Sequence, residues 1–548
     1  MSIARSLTIA AVACGVAIAM LPGEKVTAAV KYTLTTSVDP ADTGTITPAG
    51  GTFSRNNYIT ITATAVAGCR FDHWGGDLSG TENPTHYRFD TAKYAVTFVA
   101  YFVSTNGGTC TPPLPPPPPD FVPARVIGYF PEWAVSHTPP YYVKHVLQSD
   151  PTRSLTTINY AFVVPGPGPD GTVVCQLDDP VAAYQQTYMA DASVDGIADD
   201  PSQKLRGHFN QLRQLKSKYQ NLKLVVSIGG WLGSTWFSDA AATSASRQAF
   251  VSSCLDLFVD GNLPVAGGAG GPAAALNLFD GFDLDWEYPV SGGIQGTHHN
   301  SADGTNFRQL LQEFRSQFAA RGRDDGGADD LLLTMAGPAA NSTAQNYQMS
   351  QAHPYLDYVM IMTYDFHGSW ERTTGHHSNL CTSPDDPSSD TWKLSLDRSV
   401  SLYRDSYGVP AAKIVPGGAY YARGWKGVRT SGNGLYQRAA GAAPGKYEAG
   451  AEYYRDLPVD SDGLLGINGF TRYWDTKARA PWLFNPSTGV LWSYDDAQSV
   501  ALKGEYVRFN RLGGLMFWEL SGDDTAGTLF DAMRTALTSF PTSDPCTR

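Results

Sequence analysis

The sequence predicts an α/β chain: a (β/α)8 TIM barrel with an inserted subdomain, preceded by a small all-β accessory domain. Three observations predict it. From residue 122 onward, short apolar runs alternate with amphipathic segments, the pattern of a parallel sheet covered by helices. Residues 31–104 instead hold brief alternating runs such as Tyr58-Ile59-Thr60-Ile61-Thr62-Ala63, separated by Gly, Asn and Asp, which read as strands and turns. Between them lies Pro115 to Pro119, a semi-rigid extended spacer. At 548 residues the chain is also too long for one ordinary core, so division into domains is expected on length alone.

Taken in order, the chain opens on a leader. Arg5 supplies a positive charge, Leu7 to Met20 is apolar, and small residues around Val26-Thr27-Ala28-Ala29 offer a cleavage site. Residues 1–29 therefore read as a signal peptide, and a secreted, extracellular protein is expected. The apolar run is too short for a stable span, so no membrane attachment is expected after cleavage. The all-β domain takes 30–104, the Pro-rich linker 105–121 and the barrel 122–548. Strand candidates within the barrel are Val126–Phe130, Thr157–Val163, Leu222–Ser227, Gly281–Asp285, Leu331–Met335, Tyr358–Thr363, Ile414–Tyr420 and Gly514–Trp518. Helical spacing of apolar residues marks Leu205–Tyr219, Gln248–Val259, Phe307–Phe318, Leu394–Tyr407 and Ser499–Phe509. The stretch exceeds the about 250 residues of a typical barrel, and its widest gap places an insertion at about 421–494.

Composition narrows the function. A net charge of -12 argues against nucleic acid as a partner and is indifferent to a neutral polymer. The chain holds 12 Trp and 28 Tyr, beyond core needs a supply of flat faces for sugar rings. Cys69, Cys110, Cys175, Cys254, Cys381 and Cys546 remain once the leader is removed. No CxxC pair occurs among them, which disfavours a zinc or redox site. Export permits disulfides, but the pairing is open, and free buried thiols are an equal alternative. His298-His299 and His376-His377 read as loop histidines without ligand spacing, so no metal and no cofactor are expected.

The chemistry sits in Phe279–Glu287. As a strand it alternates, putting Asp283, Asp285 and Glu287 on one face and Phe282, Leu284 and Trp286 on the other. In a barrel the apolar set packs against helices and the acids face the interior. Carboxylates roughly 6–7 Å apart along a strand cannot all ionise cheaply in a confined space, so at least one retains a proton. That is what a general acid requires, and Glu287 falls at the strand's C-terminal end, where barrel active sites lie. A calcium loop would carry polar residues and Gly between its acids, not Phe, Leu and Trp.

The string FDGFDLDWEYP resembles the DGxDxDWE signature of family-18 glycoside hydrolases. VVSIGGW at Val225–Trp231 resembles that family's third-strand motif, MTYDF at Met362–Phe366 its sixth, and GGLMFWELSGDD at Gly513–Asp524 its last. YARGW at Tyr421–Trp425 and FNPSTGVLWSYDDAQSVALKGEYV at Phe484–Val507 resemble the bacterial chitinase A subgroup, with its α+β insertion. The resemblance spans about 122–541 and implies a chitinase, a monomer acting on chitin or chito-oligosaccharides. It implies Glu287 as acid and base, Asp285 as partner of the substrate acetamido group, Asp283 as tuner of Asp285, and Tyr364 as guide of the acetyl oxygen, which itself attacks in place of a protein nucleophile. Asp365 and Arg423 would bind sugar hydroxyls, Met362 would line the acetyl pocket, and Trp518 would floor the cleft. Tyr129 would support the acids, and Tyr288 and Tyr421 would complete the site. Trp133, Trp231, Trp370 and Trp425 match positions lining the sugar cleft, and Glu448 a subsite acid. An endo-β-N-acetylglucosaminidase acting on N-glycans is the alternative with the same strand, and an inactive chitin-binding lectin the less favoured one. ITPAGGTFSRNNYITITATAVAGCRFDHWGGDLSG resembles the divergent internalin-type B-repeat, which implies a β-grasp-like module. There, Trp74 is either a core residue or a polysaccharide contact.

Overall fold

The computed structural model describes residues 31–40, 43–66, 68–90, 93–105, 124–324, 326–327, 330–460, 463–539 and 541–547. They fall into two compact units, divided between Pro116 and Pro117. The expected leader, the expected linker beyond Thr105, and Cys110 lie outside the described residues.

The first unit is all β. One sheet runs in the order Gly50–Ser54, Lys31–Asp39, Ala95–Ser104, Cys69–Gly76, and the other Gly44–Thr47, Tyr58–Ala65, Thr85–Arg88. Alternation along Lys31–Asp39 and Ala95–Ser104 turns Tyr32, Leu34, Val96, Phe98, Ala100 and Phe102 inward, onto Ile46, Ile61 and Ala63 of the second sheet. Two small sheets share one core, and no helix occurs among the described residues of this unit. The four-stranded sheet, with its first and last strands parallel at the centre, is β-grasp-like as expected, and among the described residues a second small sheet covers it where that fold lays a helix. Trp74 lies in that core, 2% exposed, and its Nε1 donates to the Glu82 carbonyl at 2.9 Å. A buried indole with a satisfied N–H is not a polysaccharide contact.

The second unit is a closed barrel of eight parallel strands: β1 (Arg125–Pro131), β2 (Thr157–Pro167), β3 (Lys223–Gly229), β4 (Gly281–Asp285), β5 (Leu332–Pro338), β6 (Tyr358–Met362), β7 (Ile414–Ala419) and β8 (Gly514–Trp518). Each pairs with the next, and β8 and β1 close the ring. The strands coincide with the eight apolar runs to within a few residues. Outside the ring, Phe282 of β4 meets Phe258, Phe314 and Phe318 of the covering helices. Inside it, Ile127, Tyr129, Tyr358, Met360, Val415 and Met516 pack together, so the barrel is a filled core rather than a pore. A ninth strand, Val173–Leu177, adds antiparallel to β2. The Cys175–Cys254 disulfide ties it to helix Ser244–Phe258, and Cys381–Cys546 ties the C-terminal segment to the chain after β6.

The insertion lies between β7 and β8 and is built on an antiparallel sheet that includes Tyr421–Lys426, Ala451–Tyr453, Thr471–Asp475, Ala480–Asn485 and Val490–Ser493. Its helical part, among the described residues, is confined to 3-10 turns at Ser431–Gly434 and Tyr454–Asp456. Trp425, Val428, Leu435, Trp482, Phe484 and Leu491 form its own core. Where the chain returns to the barrel, Asp495 accepts from Ser378 and Ser499 hydroxyls at 3.0 and 2.7 Å and pairs with Lys503, both ions fully buried.

Candidate active site

The site is assembled from the C-terminal ends of the strands, around β4. Register places Asp283 opposite Ser227 of β3 and Thr334 of β5. Those two hydroxyls donate to Asp283 at 2.8 and 2.9 Å, and the Tyr129 hydroxyl of β1 reaches across the interior to donate at 2.8 Å. Burial pushes the Asp283 carboxyl up to about 6, although three hydroxyls favour its charged form. Two residues on, Asp285 is also buried, and its Oδ1 has no hydrogen-bond partner among the described residues. Burial, then the charges of Glu287 and Asp283, hold it well above the usual carboxylate range.

Glu287 lies just past the strand. Ser234 positions it: its hydroxyl donates to the Asp285 carbonyl at 3.1 Å and accepts from the Glu287 N–H at 2.8 Å. The approach to Ser234 depends on glycine. Gly229 holds φ 111, and a Cβ there would come within 2.2 Å of the Asp285 carbonyl oxygen. Burial pushes Glu287 up to about 7; the Tyr288 hydroxyl, bonded to it, pulls down, and Asp365 pushes up. Near neutrality the row therefore keeps protons and can give one up, which is the equipment of an acid catalyst.

Around the row, β6 leads into Tyr364 and Asp365. The Tyr364 hydroxyl contacts the Met516 sulfur at 3.9 Å, and burial and the charge of Asp285 hold its pKa well above the ordinary phenol value. Asp365 takes a left-handed φ of 57°. It accepts from Arg423 Nε and Nη2 at 2.7 and 2.8 Å and from the Tyr421 hydroxyl at 2.7 Å. Burial would raise Asp365, but the Arg423 charge and hydrogen bonds overcome it and hold the carboxyl low. Arg423 lies 5.3 Å from the Trp370 ring centroid. Trp518, half-buried at the end of β8, stacks on Phe162 at 5.5 Å and meets Tyr129 at 5.3 Å and Trp133 at 6.1 Å. The fold thus brings Tyr129, Asp283, Asp285, Glu287, Tyr288, Tyr364, Asp365, Tyr421 and Arg423 together, with Trp133, Trp370 and Trp518 beside them.

Met362 ends β6, half-buried, and Trp231 follows β3, half-exposed. Trp425 lies elsewhere: it is wholly buried in the insertion, its Nε1 donating to the Glu371 carbonyl at 3.2 Å, so it cannot line a cleft. Glu448 is exposed, 4.0 Å from Arg423. His298 pairs with Asp239 at 2.7 Å. His376 and His377 lie in a loop, as expected, and are buried there, with His377 Nδ1 3.8 Å from Asp365. Among the described residues, no cluster of His, Cys, Asp and Glu could hold a metal ion. Ser227, Thr334, Ser234 and His377 were not foreseen. For the first two the signal was available, since both stand at the strand register of Asp283.

Three buried carboxylates with raised pKa at the C-terminal mouth of a (β/α)8 barrel, beside an aromatic wall, define an acid–base site. The model of glycosyl hydrolases family 18 matches residues 125–523, and the chain belongs to that family. A divergent InlB B-repeat domain model matches residues 34–106. Chitinase A1 of Niallia circulans is 36% identical over 431 residues, covering 73% of this chain and 56% of the relative. Chitinase C of Streptomyces lividans is 36% identical over 406 residues, covering 73% and 58%. The chain thus spans little more than half the length of either. The solved catalytic domain of the psychrophilic chitinase B from Arthrobacter TAD20 superposes with a TM-score of 0.69 at 36% identity, covering 76% of this chain and 95% of that one.

Proposed function

We propose that this chain is a secreted chitinase that hydrolyses β-1,4-linked N-acetylglucosamine polymers and oligomers, retaining the anomeric configuration with the substrate's acetamido oxygen as nucleophile. The observation that carries the reading is the pair made by Glu287, protonatable near neutrality, and Asp285, whose buried Oδ1 has no partner among the described residues. A buried acceptor left without a donor is costly, and an acetamido N–H two residues from the acid is the donor that this chemistry supplies. Membership of family 18 and the chitinase relatives support the same reading.

In the reaction, Glu287 protonates the glycosidic oxygen while the acetyl oxygen closes on the anomeric carbon, giving an oxazolinium ion and the shortened chain. Asp285 accepts the acetamido N–H and stabilises the positive ring, Asp283 shares its proton load, and Tyr364 directs the acetyl oxygen, a proximity effect. Glu287 then takes a proton from the water that opens the oxazolinium. Asp365 and Arg423 bind hydroxyls, Met362 lines the acetyl pocket, and Trp518, Trp133, Trp231 and Trp370 face sugar rings, with Tyr129, Tyr288 and Tyr421 holding the polar groups in place. The leader at 1–29 and the domain limits 30–104, 105–121 and 122–548 belong to the same reading, as does a monomer with neither metal nor cofactor. No helix among the described residues is long and apolar enough to cross a membrane.

Glu287→Gln tests it. Turnover of N-acetylchitohexaose is expected to fall on the order of 10²–10⁴-fold, the range of lost general acid catalysis, and proton NMR of wild-type digests is expected to show the β-anomer first. Near wild-type turnover would overturn the role of Glu287. Release of N-glycans from a glycoprotein, with no action on chitin, would replace the substrate assignment.

A further inference from the structure

Beyond the carboxylate row, one charged cluster abuts the aromatic wall. After β6 the chain makes a tight turn at Gly368–Glu371, where the Glu371 N–H donates to the Gly368 carbonyl at 2.9 Å. The Trp370 ring lies over Gly368 so closely that a Cβ there would come within 2.2 Å of it. Arg423, held on Asp365, covers the ring from the insertion. Immediately before the turn stands His367. Its side chain is 9% exposed, its Nδ1 is 2.8 Å from Glu371 Oε2, and its Nε2 is 3.4 Å from Asp386 Oδ2. Behind it, Gly375 packs so closely that a Cβ would fall 2.6 Å from the imidazole.

A neutral imidazole donates from one nitrogen only. Carboxylates at both nitrogens select the doubly protonated ring. Burial opposes the charge, but Asp386 and Glu371 outweigh it and push His367 up to about 9. Asp386 is held low in return: burial raises it, and the His367 and Ser388 bonds prevail. The other charged or titratable groups around the cluster are Arg372, which borders the same recess, and Tyr436, which faces Asp386 together with Asp385 and Asp475.

We infer that His367 is a positioning residue: its imidazolium, gripped between Glu371 and Asp386, clasps the Gly368–Glu371 turn and holds Trp370 against Arg423 as one wall of the polysaccharide groove. That the wall meets a sugar rests on the proposed function; that the clasp holds Trp370 does not. Because the folded pKa lies above the ordinary 6.5 of histidine, the clasp is intact below about pH 6.5 and is lost as pH rises through about 9. Glu287 has given up its proton by then, so rate cannot report the event and the indole must.

The experiment titrates the tryptophan emission of the full-length protein from about pH 6 to about pH 10. A step centred near pH 9 is expected in wild type and absent in both His367→Gln and Trp370→Phe. Asp386→Asn is expected to displace the midpoint toward neutral by about one unit or more, because one of the two charges holding the proton is gone. At pH 6, His367→Gln is expected to raise the KM for N-acetylchitohexaose about three- to tenfold with kcat within about twofold of wild type. A step that survives in Trp370→Phe, or a midpoint that Asp386→Asn leaves in place, overturns the clasp. If the wild type cleaves no N-acetylglucosamine oligomer, the proposed function fails, while the emission titration still decides the clasp.

Discussion

Asp283, Asp285 and Glu287 show what one residue's surroundings do to its chemistry. The same carboxyl group is held high in the row by burial and held low at Asp365 by a bidentate Arg423, so one site presents proton donors beside a permanent anion. As pH rises through about 7, Glu287 loses the proton it must donate, and kcat is expected to fall along an alkaline limb near that value in a pH–rate profile. Asp285→Asn is expected to lower kcat on the order of 10²–10³-fold with little change in KM, as for other losses of electrostatic stabilisation; steady-state kinetics on soluble oligomers would measure it. The row itself was legible because β-strand alternation is local. Ser234, placed by a turn after β3, and His377, buried beside Asp365, were not, since both owe their position to a return of the chain that no local pattern encodes. Trp425 was misread for the same reason: whether an indole faces a groove or a core is settled by the sheet packed behind it.

The strands were the readable elements. Buried on both faces, they appear as continuous apolar runs, and each of the eight was found within a few residues of its position. Helices Val143–Ser149 and Thr528–Leu537 were not anticipated. The insertion was located by a gap in the pattern, but its sheet order was not readable, because antiparallel pairing brings together segments far apart in sequence. Just past it, where the chain rejoins the barrel, Lys503 and Asp495 form a fully buried pair. Lys503→Met leaves Asp495 buried and uncompensated, and is expected to cost about 3–5 kcal/mol. The lysine-to-methionine change made together with Asp495→Asn is expected to recover part of that loss, measured by chemical denaturation.

At the scale of the molecule, two units with separate cores predict separable behaviour. Trp74→Ala is expected to cost about 3–5 kcal/mol in the first unit alone, seen as the loss of one of two calorimetric transitions, with turnover of soluble oligomers unchanged. A chain beginning at Pro117 is expected to keep that turnover within about twofold while losing retention on insoluble chitin, because tethering raises the local concentration of the barrel at a surface. Equal retention would remove any binding role from residues 31–105. The division itself was legible from composition; what the first unit binds was not, since its one buried tryptophan proved to be structural.

The unpartnered oxygen of Asp285 has a thermodynamic counterpart. A protein selected for stability alone would not keep two interacting acids buried beside an acceptor that nothing among the described residues satisfies. The mouth of the barrel is therefore where this fold is most ill at ease with itself, and where a ligand that donates to Asp285 does it the most good. Above neutral pH, inactive amide variants at Asp285 or Glu287 are expected to melt higher than the working enzyme, and the empty wild type to gain more from an oligosaccharide than its contact area alone implies.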